Sequence, residues 1–278
     1  MKIVRVASPL LLLLLPLVAT APAAAQMIPP HPVYQNFEPV GEYVLEVGGV
    51  EQPAVKMYRS DRAGSAVLMM GPGLPSALMI VPRERAVDRL DPVKVVVNGD
   101  GRAFLLSDVQ LQKESGFQVQ GSDVSFTVAG KQARLKEKPW LLGLHRGNDL
   151  LQHDVSYAFL AREYKPSPAL LKQLKGTAQP VRVRVFFGNW CPHCHEMVPR
   201  ILKVEQELGP SNIRFEFYGL PSPFGDEPEA KKMGITGVPT GVVYKGNQEV
   251  GRIAGSDWFI PELALKKVID GTATKSSR

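Results

Sequence analysis

Two cysteines occur in the whole chain, three positions apart, in Trp190-Cys191-Pro192-His193-Cys194. A bridge between them closes almost no loop, so it removes little entropy from the unfolded chain. Stability is a poor reason for the pair, and chemistry is a better one. The reactive form of a cysteine is the thiolate. Cys191 is expected at the start of a helix, where free N–H groups and the positive dipole end favour an anion. His193 places further positive charge, or a donor, between the two sulfurs. Both effects lower the pKa of Cys191. Cys194, one turn into the helix, is the more buried, resolving thiol. Such a pair performs exchange through a mixed disulfide. Two other chemistries fit the same letters. Cys191 to His195 matches Cys-x-x-Cys-His, the pattern of covalent haem attachment. Cys191, Cys194, His193 and His195 also offer sulfur and nitrogen to zinc or copper. Haem needs a second axial ligand and a helical pocket, and a metal in this spacing usually needs a second ligand cluster; neither is evident. The expectation is no metal, and no cofactor beyond the Cys191–Cys194 disulfide itself.

The elements around the motif alternate. Val181–Phe187 reads as a strand, Gly188-Asn189-Trp190 as a tight turn, and 192–208 as a helix with Met197, Ile201, Val204 and Leu208 on one stripe. Ile213–Tyr218 is a second strand. A helical turn follows at Pro228–Met233, then the loop Gly237-Val238-Pro239-Thr240, a hairpin from Gly241 to Ile253 and a closing helix at Pro261–Ile269. The order is α/β. Upstream, Tyr43–Val47, Ala66–Met69, Val93–Val97, Ala103–Leu106 and Val124–Val128 are short apolar runs bounded by turn residues, with Asn98–Gly101 as a hairpin turn. This region is expected to be mostly β, as a small sandwich or barrel. Asn148–Glu163 reads as one helix on the stripe Leu151, Val155, Phe159 and Leu160. Ser167 caps a shorter helix from Pro168 to Lys175.

From about residue 165 to 278 the chain resembles the thioredoxin superfamily. The resemblance rests on Trp190-Cys191-x-x-Cys194 after a strand, on Pro199 inside the helix, on Gly237-Val238-Pro239-Thr240, and on the hairpin ending at Ala254-Gly255. It implies a thioredoxin fold in which Pro239 is cis. It implies that Val238, Pro239 and Thr240 hold an extended substrate through backbone hydrogen bonds, with Trp190 covering one side of the disulfide. The dipeptide Pro192-His193 is that of DsbA-type periplasmic oxidants and implies a stabilised thiolate. Only 44 residues separate Cys194 from Pro239, too few for the helical insertion of that type, so the layout is that of plain thioredoxin. Relatives carry an acid six residues before the first cysteine, where this chain has Val185. Glu216 on the neighbouring strand is the candidate to replace it in proton transfer.

Lys2 and Arg5, the apolar run Pro9–Val18 and Ala23-Ala24-Ala25 form a secretory signal, with cleavage expected at Ala25–Gln26. The mature protein is then expected in the periplasm or secreted. The 33 basic residues lose Lys2 and Arg5, leaving 31 against 27 acidic ones. That excess is dispersed, which argues against nucleic acid as a partner; the basic stretch 131–138 reads as a solvated strand and turn. His31, His145 and His153 are scattered and are not read as ligands. The expected organisation is a signal peptide at 1–25, a Pro-rich linker at 26–41, a mostly β domain with a C-terminal helix at 42–164, and the thioredoxin-like domain at 165–278. The expected function is oxidation or isomerisation of thiols in exported proteins, with a membrane redox partner. The alternatives are a reductase in an electron-relay or cytochrome-maturation pathway, and a partner-binding module whose thioredoxin shell is redox-inert.

Overall fold

A computed structural model describes residues 36–60 and 65–272. The expected signal peptide lies outside these residues, as does most of the linker. In chain order the first strands are β1 (Glu38–Val40), β2 (Tyr43–Val47), β3 (Val50–Glu51), β4 (Lys56–Ser60), β5 (Ala66–Met70), β6 (Ala77–Val81), β7 (Ala86–Leu90), β8 (Val95–Val97), β9 (Ala103–Leu105), β10 (Gln112–Gln120), β11 (Asp123–Val128) and β12 (Lys131–Glu137). Ten of them form one antiparallel sheet in the order β1-β4-β5-β6-β7-β10-β11-β12-β2-β3, and β8 and β9 form a separate two-stranded sheet. The sheet curls until its two ends share a core: Val40 and Met57 from one end meet Leu45, Phe126 and Leu135 from the other. In β6 the period-two alternation sends Leu78 and Ile80 into that core. Ala77 and Met79 point to the opposite face, which Phe37 and the β8–β9 hairpin cover.

The Pro-rich segment is therefore not linker throughout. Phe37 is fully buried and exchanges backbone hydrogen bonds with Ala103, and β1 pairs with β4. Pro39 is tolerated because β1 is an edge strand, where a missing N–H breaks no ladder. The basic stretch 131–138 is a strand as expected. It turns Ala133 and Leu135 inward and pairs Lys136 with Glu46 at 2.7 Å on its outer face.

The second body comprises β13 (Gly143–His145), α1 (Gly147–His153), α2 (Val155–Glu163), α3 (Pro168–Lys175), β14 (Val181–Phe187), α4 (Pro192–Leu208), β15 (Ile213–Gly219), α5 (Pro228–Met233), β16 (Thr240–Lys245), β17 (Gln248–Ile253) and α6 (Pro261–Asp270). Its sheet runs β13-β15-β14-β16-β17, with β14 parallel to β15 and antiparallel to β16. Val181, Val183, Val185 and Phe187 face the helices, while Phe186 joins Ala230 of α5 on the other side.

A boundary at 164 is not where the bodies divide. β13 hydrogen-bonds to β15, and Leu150 and Tyr157 belong to the core beneath α4; the division falls near 138–142. The helix expected from 148 to 163 is two helices, because Asp154 takes an extended backbone and caps α2 by accepting the Ser156 N–H at 2.8 Å. The break resets the helical phase, so Val155 is exposed and Tyr157 is buried. The β domain docks on this junction. A Cβ at Gly41 would stand 2.3 Å from Asp154 Oδ1, so only glycine permits the approach. Lys138 Nζ donates to the His153 carbonyl at 2.8 Å, and Arg102 bridges to Glu163 at 3.1 Å. No helix among the described residues is long and apolar enough to cross a membrane.

Burial pushes the Glu205 carboxyl up to about 7, against a smaller opposing pull from Arg146. A carboxyl with a raised folded pKa favours folding at low pH and costs stability as pH rises through the interval from 4.5 to about 7. Glu205→Gln is expected to stabilise the protein by roughly 1–2 kcal/mol at pH 8, after discounting for the exposed part of the group, and to change little at pH 4. Denaturant melts at the two pH values test this.

Candidate active site

β14 ends at Phe187, the chain turns through Gly188-Asn189-Trp190, and Cys191 caps α4. Gly188 is needed in that turn: a Cβ there would lie 2.5 Å from the Trp190 ring. Cys191 Sγ accepts the Cys194 N–H at 3.3 Å. Hydrogen bonding from the Cys194 side chain is the largest influence holding the Cys191 thiol down at about 6. Burial opposes it, and the N–H groups of Cys194 and His193 and the His193 charge add to it. Cys194 is 0 % exposed. Burial drives its thiol far above the ordinary range, and donation to Cys191 adds to that rise. Both cysteines are free thiols. One is poised as an anion, the other keeps its proton and hands it toward the first. Pro199 lies buried inside α4. It leaves the His195 carbonyl without its helical donor, as a proline at i+4 must.

The loop opposite carries a cis bond at Val238-Pro239, as expected from the sequence. The Val238 carbonyl lies 3.6 Å from Cys191 Sγ. Trp258, 1 % exposed, donates its indole N–H to the Pro239 carbonyl at 2.8 Å and so ties the loop to the core. The Thr240 hydroxyl donates to Gly237 O at 2.7 Å, so its side chain braces the loop. Trp190 donates to Leu220 O at 2.9 Å and stacks on Phe224. His193 is exposed beside Cys191. A cleft of about 340 Å³ opens on Cys191, with Trp190 and Pro192 on one side and Glu42, Tyr43, Glu137 and Trp140 on the other. The β domain is thus one wall of the site, which no motif in its sequence announced.

Glu216 does not serve the cysteines. It alternates with Phe215 and Phe217, which face α4, so it projects from the opposite face of the sheet. There it accepts from Arg184 at 2.9 Å and Arg182 at 3.3 Å. His195, in the first turn of α4, is half-buried. Its Nε2 is 2.8 Å from Ser156 Oγ, which donates to Asp154 Oδ1 at 2.5 Å. With the one hydroxyl hydrogen given to Asp154, Nε2 must be the donor to Ser156. The Tyr157 ring meets the His195 ring edge-on at 5.7 Å. Glu42, Asp154 and His195 bring ligand atoms within 4.8 Å of one another. However, Glu42 Oε1 accepts from Arg59 at 3.0 Å and Asp154 Oδ1 from Ser156, whereas Glu42 Oε2 is buried without a hydrogen-bond partner, so the group is a partly paired hydrogen-bond network at the docking junction. Sequence spacing gave no sign of Tyr157, Ser156 or Glu42, because tertiary packing alone brings them to the motif.

The family model described as Thioredoxin matches residues 171–270. No curated protein matches the chain. Similar solved structures include a protein of unknown function from Pseudomonas aeruginosa, at 14% identity and TM-score 0.31, covering 42% of this chain and 78% of that one. Thioredoxin f from spinach chloroplast, long form, is 24% identical with TM-score 0.27, covering 36% of this chain and 77% of that one. Mitochondrial thioredoxin 3 from Saccharomyces cerevisiae, oxidized form, is 24% identical with TM-score 0.27, covering 40% of this chain and 97% of that one. With the cysteine pair at the head of α4 and the cis-proline loop against it, residues 171–270 of the C-terminal body form a thioredoxin domain.

Proposed function

We propose that the protein is an exported thiol–disulfide oxidoreductase working through Cys191 and Cys194. The observation that carries this is the opposed pair of thiols: Cys191 held down at about 6 beneath the Val238 carbonyl, and Cys194 held protonated behind it. In the oxidising direction, a substrate thiolate attacks Cys191 of the Cys191–Cys194 disulfide. The S–S bond breaks toward Cys194, whose sulfur takes a proton. A second substrate thiolate then attacks the substrate sulfur of the mixed disulfide, and Cys191 leaves as a stable thiolate. A low-pKa leaving group speeds that last step and favours giving the disulfide away. Trp190 and the Val238-Pro239-Thr240 loop flank the attacked sulfur, and the loop backbone offers groups to an extended chain. The two sulfurs carry the electrons, so the exchange itself requires no further cofactor. The substrates are thiols of exported proteins in the periplasm, and a membrane redox partner restores the disulfide.

Alkylation of the reduced protein by iodoacetamide tests the carrying observation. Only the thiolate reacts, so the rate at Cys191 is expected to rise with pH through a midpoint at about 6 and to level off above it. A midpoint near that of an ordinary free cysteine, with both cysteines reacting alike, would remove the basis of the proposal.

A further inference from the structure

Exchange requires Cys194 to carry negative charge, either when it attacks the mixed disulfide or when it is expelled from the Cys191–Cys194 bond. The side chains of β14 that face α4 are Val181, Val183, Val185 and Phe187, and none of them can stabilise that charge. One hydroxyl in this core stands without a partner. Tyr157 is 1 % exposed, belongs to the same cluster as Cys191 and Cys194, and its Oη has no hydrogen bond. Other tyrosines of this body are satisfied: Tyr164 donates to Glu262 and Tyr218 to Glu227. A buried hydroxyl left unpaired costs about 1–3 kcal/mol and calls for a reason. The ring lies against His195, the residue next to Cys194 in the chain.

Resting on the exchange reading above, we infer that Tyr157 donates its O–H to the Cys194 sulfur when that sulfur is anionic, and is a catalytic residue of the resolving step. Tyr157 comes from α2, before the segment that matches the family model, so this chain supplies the donor from an element of its own. Burial, followed by the charges of Cys194, Asp154, Cys191 and Glu42, holds the phenol well above its ordinary pKa. It therefore stays a donor across the working pH range and does not act as the base. In resolution, the Cys194 S–H loses its proton and its sulfur attacks Cys191 Sγ. The bond from Cys191 to the substrate sulfur breaks, and the electron pair leaves with that sulfur, which takes up a proton. The two cysteines are oxidised and the substrate disulfide is reduced. The Tyr157 hydroxyl shares the charge on Cys194 before the new S–S bond forms.

The test is Tyr157→Phe in the full chain, reacted in stopped flow with 5,5′-dithiobis(2-nitrobenzoate). Attack by Cys191 releases a first thionitrobenzoate, and attack by Cys194 on the mixed disulfide releases a second. The variant is expected to give an unchanged first phase with the same pH midpoint. The second phase should slow tenfold or more, with its midpoint moved to higher pH. Thermal stability should be unchanged or raised, because an unpaired hydroxyl has been removed. A second phase within twofold of the parent, or equal slowing of both phases, would overturn the inference. A parent protein that shows no second phase at all would instead overturn the exchange reading on which the inference rests.

Discussion

Replacing Cys191 by serine is expected to abolish disulfide exchange, whereas replacing Cys194 by alanine should stop the reaction halfway. The serine hydroxyl is not ionised at neutral pH, so Cys191→Ser loses the attacking anion and the leaving group together, and turnover falls by roughly three orders of magnitude or more. Cys194→Ala keeps the nucleophile and removes the group that frees it. Treated with glutathione disulfide, this variant should accumulate as a stable glutathione adduct on Cys191, visible by mass spectrometry. Alanine is the better substitution at 194 because the site is fully buried, and a serine hydroxyl there would add an unpaired polar atom. The same variant has a second consequence. Donation from Cys194 is the largest influence lowering the Cys191 pKa, so its removal should move the alkylation midpoint upward from about 6. A Cys194→Ala protein that still turns over disulfides, or whose midpoint stays in place, would show that the two thiols do not work as a pair.

The second large effect is structural and reaches the site through one side chain. Trp258 is among the largest fully buried residues, and its indole N–H holds the Pro239 carbonyl. Trp258→Ala is expected to cost about 3–5 kcal/mol from lost burial and the cavity left behind. That is a large share of the 5–15 kcal/mol that holds a typical domain together. Trp258→Phe keeps most of the packing and loses the hydrogen bond, for a cost of about 1 kcal/mol. In the phenylalanine variant the Cys191 alkylation midpoint should stay near 6, because none of its causes involves Trp258. Exchange with a protein substrate should nevertheless weaken as the loop loses its anchor. Thermal melts and the KM for a reduced protein substrate separate the two effects.

Elements whose signals are local were legible in the sequence. Ser167 caps α3 and Gly209 ends α4, because capping chemistry is written within a few residues. The cysteine pair and the cis-proline loop, though far apart in the chain, carry compact motifs. β6 was not legible, because it is buried on both faces and shows no alternation to read. β10 is polar and largely exposed, and β13 is three residues long. Each is a strand because a neighbour completes its hydrogen bonds. The same limit applied to the site. Cys191, Cys194 and His193 stand on one turn of one helix. Tyr157 joins the core around the cysteines, and Glu42 lines the cleft that opens on Cys191, only because α2 packs on α4 and Gly41 lets the β domain press against Asp154. Glu216 was misplaced for a related reason: it stands on a neighbouring strand in line with Arg184, but pleating turns it to the wrong side of the sheet.

The most direct test is the equilibrium reduction potential of Cys191–Cys194 in the full protein, read by titration against glutathione and trapping of free thiols. A first-cysteine pKa of about 6 lies between those of thioredoxin, about 7, and DsbA, about 3.5. One reversible two-electron transition is therefore expected, with a midpoint between about −270 and about −120 mV. A midpoint at or below thioredoxin's would reverse the direction of electron flow proposed here. Two thiols that show no reversible transition at any glutathione ratio would contradict the central claim outright.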